Sequence, residues 1–334
     1  MTEGPRHGGG TGYLAGWVIA GLLERGYRVR TTVRDVGKAS LLLTSIGERV
    51  GPDRLAALEI VTADLLADEG WAAAAAGTEF VVHPASPIPL DAKADLVATA
   101  REGTRRVLIA AADAGTRRVV VTSSALTAMP QDSATIATED IRSEPVGTRD
   151  HRYPDSKILA ERDAWSIAAA TGMEVTAILP TFMQGPPIGA RTAPGTIDIM
   201  RRLVSGALPA IPRIGWNIVD VRDVAELHIR ALENAAAAGQ RLLASGTFLW
   251  YSGVAEIVRR DFPDAASNVP TRRMPNTVIR ALALVNPQLA SIRPELGRTH
   301  FADSAKARED LGWTTRDVEA TIRDTVQYLL TRGS

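Results

Sequence analysis

Residues 8–16, which read GGGTGYLAG, constrain the fold of this chain more than any other segment. The stretch is too rich in glycine for a helix or strand, yet an apolar helical pattern starts behind it at Tyr13. Glycine has no Cβ atom, so it allows a tight turn and a close approach to a ligand. The following helix offers unpaired N–H groups and its positive dipole end to a phosphate. The spacing Gly9-x-x-Gly12-x-x-Ala15 therefore predicts a dinucleotide-binding loop.

Short apolar runs alternate with helical patterns along the first half of the chain. We predict strands over residues 28–33, 58–62, 80–83, 118–122 and 174–179, and helices over residues 92–114 and 153–171. This alternation is typical of an α/β protein with a doubly wound parallel sheet. Ligands bind such sheets at the carboxyl ends of the strands, so the turns after these strands are the expected site.

In the second half of the chain, the predicted elements are shorter and are separated by prolines. We expect helices over residues 219–234, 251–260 and 314–330. The predicted division is a dinucleotide-binding domain over residues 1–180 and a smaller α/β substrate lid over residues 181–334, with some segments returning to the sheet domain.

The segment before the glycine loop is a poor candidate for a first strand. Residues 4–7 are Gly, Pro, Arg and His. Proline cannot donate to a strand ladder, and glycine has no side chain to pack. We therefore predict a shortened or absent first strand, with a gap beside the strands that start near Arg28 and Phe80.

Composition excludes several kinds of protein. The 334 residues are 45% hydrophobic and 23% charged, with a net charge of zero. This balance has no basic patch for nucleic acid or a membrane surface, and no apolar run reaches the ~18 residues of a membrane span. Cysteine is absent, and the histidines have no metal-ligand spacing. With no apolar signal core at the N-terminus, we expect a cytoplasmic protein without a metal.

Tyr153 and Lys157 lie one helical turn apart and share a face. An ammonium beside a phenol favours the phenolate, so we expect Lys157 to lower the pKa of Tyr153 from ~10. Upstream, Thr122, Ser123 and Ser124 end a predicted buried strand and would bring a hydroxyl to the same crevice. Ser124 could then stabilise charge on a carbonyl oxygen.

These motifs, in this order, resemble the extended short-chain dehydrogenases/reductases, and within them the dihydroflavonol-4-reductase-like branch. The matching segments include GGTGYLAGW, TVRD, HPASP, VVVTSS, YPDSK, PTFMQGP, VDVRDVAELH and KAREDLGW. The resemblance implies a Rossmann fold and NAD(P)-dependent reduction of a ketone or aldehyde, or oxidation of the alcohol. It places Ser124, Tyr153 and Lys157 as the catalytic residues.

The resemblance also assigns residues to cofactor binding across the predicted crevice. They are Gly9, Thr11, Gly12, Tyr13, Leu14, Arg34, Lys38, Asp64, Leu65, Ala85, Ser86, Thr122, Tyr153, Lys157, Pro180 and Met183. Arg34 stands where folds selective for NAD carry an acidic residue, and it could pair with the 2′-phosphate of NADP. Asp35 could instead pair with Arg34, so NADP is favoured over NAD without excluding it.

Three functions stay open at this point. They are an NADP-dependent carbonyl reductase, a nucleotide-sugar epimerase or dehydratase, and a non-catalytic nucleotide-binding protein. Arg191, Arg201, Arg202 and Arg213 could hold a sugar diphosphate, whereas Phe182, Met183, Gln184 and Trp216 are either apolar pocket walls or core. A flavonoid substrate is not implied, and the helices over residues 92–114 and 153–171 could form a homodimer.

Overall fold

The computed structural model describes residues 12–84, 95–130, 132, 135–148, 151–188, 195–284, 286, 289 and 292–332, with Lys38 and Arg332 described by their backbone alone. The strands are β1 Val29–Val33, β2 Leu58–Thr62, β3 Phe80–His83, β4 Arg118–Thr122, β5 Glu174–Pro180, β6 Phe182–Gln184, β7 Ile211–Pro212, β8 Gly215–Asp220, β9 Arg241–Ala244, β10 Thr247–Trp250 and β11 Arg273–Met274. The helices are α1 Tyr13–Glu24, α2 Ser40–Val50, α3 Pro52–Leu55, α4 Trp71–Ala75, α5 Leu96–Asp113, α6 Arg152–Thr171, α7 Thr196–Val204, α8 Val221–Glu233, α9 Tyr251–Asp261, α10 Pro263–Ala266, α11 Asn276–Leu282, α12 Ala305–Leu311 and α13 Val318–Arg332.

A parallel sheet in the order β3-β4-β5-β9 carries helices on both faces. Val120 of β4 packs on one side, in the cluster with α1 and α8. Val119 and Val121 point the other way and pack with α5 and α6. Since alternate residues of a strand face opposite sides, β4 is buried on both, which explains its continuous apolar sequence. The predicted doubly wound α/β fold is confirmed.

Strands β1 and β2 form a second parallel pair, in which Val33 lies opposite Thr62. Within the described ranges, no ladder joins this pair to the four-stranded sheet. A cleft of about 660 Å³ lies between β1 and β3, with α1, α4 and α5 along its walls. Residues 4–7 lie outside the described part of the chain, so the shortened first strand stays a prediction.

The second half builds a smaller layer around the sheet β6-β8-β10 and the pair β7–β11. Its core gathers side chains from α7, α9 and α13, among them Leu203, Val254 and Ile322. Strand β9 leaves this half and pairs with β5, so a segment does return to the main sheet. The domain division at residue 180 itself stays a prediction.

Three predicted helix starts are wrong. The helix expected over residues 92–114 starts at Leu96, where the Asp95 carboxylate accepts from the Ala98 backbone N–H. The helix expected over residues 219–234 starts at Val221, because Val219 and Asp220 complete β8 and Asp220 caps the helix by accepting from the Arg222 backbone N–H. The helix expected over residues 314–330 starts at Val318, where the Asp317 carboxylate accepts from the Ala320 backbone N–H. All three corrections follow from an aspartate that satisfies an N–H at the helix start. No described helix is both long and apolar enough to cross a bilayer.

Candidate functional site

Tyr153 and Lys157 lie in the first two turns of α6, as predicted. The Lys157 Nζ atom lies over the Tyr153 ring, 5.9 Å from its centroid. Lys157 is only 6% exposed, and no described residue forms a hydrogen bond or ion pair with it. A buried ammonium is costly without a partner, so this position calls for an additional hydrogen-bond acceptor.

The pKa of Tyr153 corrects an expectation from the sequence. Burial of the phenol raises its pKa to about 12, and this penalty dominates over the nearby ammonium. Burial also lowers the pKa of Lys157 to about 8, while the Glu161 carboxylate acts in the opposite direction. Tyr153 therefore keeps its proton at neutral pH, which suits a proton donor.

Ser124 lies two residues beyond the end of β4 and is buried. Its Oγ accepts a hydrogen bond of 3.2 Å from the Leu126 backbone N–H and so caps the 3-10 helix Ala125–Ala128. A backbone N–H can only donate, so the hydroxyl proton of Ser124 remains available for another acceptor. This 3-10 helix packs against α6, the helix that carries Tyr153.

The two hydroxyls before Ser124 point elsewhere. His228 on α8 has its Nδ1 2.8 Å from the Val224 carbonyl, so Nδ1 carries the proton, and Nε2 accepts from the Thr122 hydroxyl at 2.7 Å. The side chain of Thr122 therefore points towards α8, and only the Thr122 backbone can border the predicted crevice. Ser123 Oγ donates to the Glu161 carboxylate.

The start of α1 fits a phosphate. Gly12 occupies the cap position and has no side chain to cap the helix, and no described side chain accepts from the first N–H groups of the helix. These groups need an acceptor, which a pyrophosphate supplies. Tyr13 donates its hydroxyl to the Gly185 carbonyl at 2.7 Å, and Leu14 is buried in the core, so both side chains have structural roles. Gly9 and Thr11 lie outside the described residues.

Arg34 follows β1 at its carboxyl end and is half-buried. It forms no ion pair or hydrogen bond with any described residue, so Asp35 does not neutralise it. The Asp35 carboxylate instead accepts from the Gly37 backbone N–H at 2.9 Å. An unpaired guanidinium at this strand end fits the 2′-phosphate of NADP. Lys38 lies in the next turn, and the structure describes only its backbone.

Asp64 and Leu65 follow β2, next to the end of β1. The Asp64 carboxylate accepts from the Leu66 backbone N–H at 3.0 Å, so it shapes the turn. Leu65 is buried, and a Cβ atom on Gly103 would lie 2.9 Å from its side chain. Leu65 is thus a packing residue. Ala85 and Ser86 lie outside the described part of the chain.

Strand β5 ends at Pro180, which is buried opposite Ala244 of β9. Met183 of β6 is partly buried against the cluster that contains α1. The candidate pocket walls belong largely to the core: Phe182 stacks on Trp216 with 4.5 Å between ring centroids, and both pack against the core of the second half. Gln184 is fully buried.

The sequence analysis missed a buried ion pair behind the Tyr153–Lys157 pair. Glu161 Oε1 accepts from Arg241 Nε at 2.6 Å, and both side chains are buried. Only the spacing indicates a role for Glu161 in the sequence, because Tyr153, Lys157 and Glu161 repeat every four residues and share one face of α6. The partner, Arg241, lies 80 residues away on β9 and leaves no local signal.

Comparison with known proteins identifies relatives of the whole arrangement. The model of the NAD dependent epimerase/dehydratase family matches residues 8–243. Tetraketide alpha-pyrone reductase 2 of Arabidopsis thaliana is 31% identical over 77% of this chain and 82% of its own. Cinnamoyl-CoA reductase 2 of the same plant is 34% identical over 77% and 76%. The structure of Gre2 from Candida albicans in complex with NADPH is 25% identical, with a TM-score of 0.77 over 98% of both chains.

Proposed function

Because this chain belongs to the NAD dependent epimerase/dehydratase family, we propose that it is an NADPH-dependent oxidoreductase that reduces an aldehyde or ketone to the alcohol. The extended short-chain dehydrogenases/reductases that the motifs resemble belong to this same superfamily, so the predicted resemblance is confirmed. The proposal rests mainly on the Tyr153–Lys157 pair. Tyr153 keeps its proton at neutral pH, and Lys157 is a buried ammonium beside it.

Three groups of this chain fit the dinucleotide. The uncapped N-terminus of α1 would take the pyrophosphate. Arg34, which has no partner among the described residues, would pair with the 2′-phosphate. Lys157 would donate to hydroxyls of the nicotinamide ribose, which supply the acceptor that the buried ammonium lacks. NADP agrees with the NADPH present in the solved relative from Candida albicans.

The roles of the three catalytic residues follow from their hydrogen-bonding capacity. NADPH supplies the hydride that reduces the carbonyl carbon. Tyr153 donates its phenolic proton to the carbonyl oxygen, which becomes the alcohol. Ser124 donates its hydroxyl proton in a hydrogen bond to the same oxygen, since its own oxygen already accepts from Leu126. The Lys157 ammonium stabilises the phenolate that remains on Tyr153.

The alternative of a sugar-nucleotide epimerase or dehydratase has less support. Of the arginines that could hold a diphosphate, Arg201 is paired with Asp198 and Arg213 lies over the Trp250 ring, 5.3 Å from its centroid. Arg191 lies outside the described residues. The relatives with more than 30% identity named above are both reductases.

Consumption of NADPH tests the proposal. The protein is mixed with NADPH and a panel of aliphatic and aromatic aldehydes and ketones, and the loss of NADPH absorbance is followed with Tyr153→Phe as the control. We expect stoichiometric oxidation with at least one carbonyl compound. A protein that binds NADPH but gives turnover without net oxidation of it is an isomerase or lyase, and one that binds without any turnover is a sensor.

A further inference from the structure

The residues on both sides of Ser124 tie it to α6. The Ser123 hydroxyl, one residue before it, donates to the Glu161 carboxylate. The Thr127 hydroxyl, three residues after it, lies 2.8 Å from the same Glu161 oxygen. Glu161 belongs to α6, the helix that carries the other two proposed catalytic residues. One carboxylate therefore connects the segment around Ser124 to that helix.

The Thr127 hydroxyl gives its proton to Glu161. Arg241 Nη2 donates to Thr127 Oγ1 at 2.7 Å, so this oxygen already acts as an acceptor. Its single proton can serve either the Glu161 oxygen or the Ser124 carbonyl, each 2.8 Å away. A hydrogen bond to an ionised carboxylate is the stronger of the two. Thr127 therefore bridges Arg241 to Glu161.

The Arg241 guanidinium uses all of its N–H groups. Its Nε donates to Glu161 Oε1 at 2.6 Å, and its Nη2 donates to the carbonyl and the hydroxyl of Thr127 at 3.0 and 2.7 Å. Its Nη1 donates to the carbonyls of Glu139 and Ile141 at 2.8 and 2.6 Å. Since the donors of an arginine form a fixed fork, this side chain fixes α6, the 3-10 helix and the segment around Glu139 relative to one another.

The Glu161 carboxylate is saturated in the same way. Its Oε1 accepts from Arg241 Nε and, at 3.2 Å, from Trp165 Nε1, and its Oε2 accepts from Ser123 and Thr127. These donors fill the roughly four acceptor positions of a carboxylate. Both charged side chains are buried. Because a buried ion pair adds little stability over apolar packing, the geometry that this pair imposes explains its presence better than stability does.

We propose that Glu161, held by Arg241, is a positioning residue for Ser124. It fixes the Ser124 hydroxyl relative to α6, so that this donor and the Tyr153 phenol converge on one carbonyl oxygen. The hydroxyls on either side of Ser124 transmit the position. The effect on turnover rests on the proposed function, whereas the fixed position of the 3-10 helix does not.

The test alters the Thr127 hydroxyl, because removing Glu161 or Arg241 would leave the other charge buried without its partner. Thr127→Val replaces the hydroxyl with a methyl group, and Thr127→Ser is the conservative variant that keeps the hydroxyl. Thr176→Val is the matched control on β5. Thr176 is fully buried, and its hydroxyl donates to the Ala237 carbonyl at 2.6 Å, so this change removes a comparable hydrogen bond elsewhere.

Amide hydrogen exchange reads the position without turnover. It is followed by mass spectrometry on peptides that cover residues 123–129 of the full-length protein. We expect Thr127→Val to speed exchange in this segment about tenfold or more, and Thr127→Ser and Thr176→Val to change it less than about twofold. Unchanged exchange in Thr127→Val overturns the proposal. Equal acceleration in Thr176→Val also overturns it, since the effect is then a general loss of stability.

Turnover shows whether the fixed position matters for the reaction. Thr127→Val is measured in the parent protein and in Ser124→Ala, with a carbonyl compound that the parent reduces. A misplacement of about 1 Å can cost about 10²-fold, so we expect kcat to fall about 10–100-fold in the parent, with the KM of NADPH nearly unchanged. In Ser124→Ala the same change should cause no further loss.

An equal loss of kcat in both backgrounds overturns the positioning role, because the effect then does not pass through Ser124. A loss in Thr127→Ser as large as that in Thr127→Val overturns it too, since the methyl group and not the hydroxyl is then responsible. If the protein reduces no carbonyl compound, the proposed function fails, and the exchange measurement still decides whether Glu161 fixes the 3-10 helix. The two proposals therefore fail separately.

Discussion

Lys157 places its ammonium over the ring of Tyr153, 5.9 Å from the ring centroid, and both groups occupy the first two turns of α6. A cation over an aromatic face is attracted by the ring itself. Burial nevertheless dominates the phenol and raises the pKa of Tyr153 to about 12. Both groups therefore keep their protons at neutral pH, which is the state that the proposed reduction requires.

Replacing Tyr153 with phenylalanine removes the proposed proton donor and leaves the ring. We expect kcat to fall by about 10²–10⁴-fold, the range for loss of a general acid. The dissociation constant of NADPH, measured by calorimetry, should stay nearly unchanged, because binding is spread over α1, Arg34 and Lys157. Retention of most of the activity would show that another group protonates the substrate.

Replacing Arg34 with alanine tests cofactor choice. A charge-assisted hydrogen bond contributes about 1.5–3 kcal/mol, so NADPH should bind about 10–150-fold more weakly, while NADH changes little. Arg30→Ala is the control on β1, the strand that precedes Arg34, since Arg30 pairs with Glu59 at 2.8 Å and has no expected role at the phosphate. Equal losses for both cofactors in Arg34→Ala would contradict the assignment.

Acid should destabilise the protein through two buried histidines. Burial lowers the pKa of His83 and that of His228 to about 4 each, below the unfolded value of about 6.5. Between these values the unfolded chain binds more protons, so the free energy of unfolding falls as the pH falls, by about 1.4 kcal/mol per pH unit for each histidine. Urea unfolding from pH 7 to pH 4.5 measures this slope.

The matched variant for that measurement is His83→Asn, which keeps a polar group beside Thr104. Its slope should drop by the contribution of one proton. A slope equal to that of the parent protein would mean that His83 is protonated in the folded state or exposed.

The N-terminal segment offers a gain-of-stability test. Replacing residues 4–7 with Val-Leu-Val-Thr should raise both the melting temperature and the affinity for NADPH, because each buried apolar side chain contributes about 1.5–3 kcal/mol. The cleft between β1 and β3 is where such a strand would pack. A polar replacement of the same length is the control. Identical melting temperature and affinity in the repaired protein would show that the present N-terminus is adequate.

The sequence predicted the main strands because each one is a short run of apolar or β-branched residues, although β2 and β3 are only partly buried. β2, β3 and β4 begin and end at the predicted residues. The Tyr153–Lys157 pair was equally visible, since helical spacing alone places the two side chains together.

The orientation of the hydroxyls after β4 was not predictable. Thr122 donates to His228 across 106 residues, and Glu161 pairs with Arg241 across 80. Local periodicity identifies the buried face of a strand or helix, but it carries no information on which distant element supplies the partner. The sequence also predicts the wrong direction for the pKa shift of Tyr153, because helical spacing reveals the neighbouring charge but not the burial of the phenol.

The separation of β1 and β2 from the four-stranded sheet has a consequence for how the molecule comes apart. Among the described residues no ladder joins them, and the side chain of Arg30 bonds only on its own side of the gap, donating to Glu59 of β2 at 2.8 Å and to the Ala76 carbonyl after α4 at 2.7 Å. Such units open with their own free energies. Amide protons of β1 and β2 should exchange with solvent before those of β4 and β5, so the region around Arg34 loosens while the region around Tyr153 is still closed.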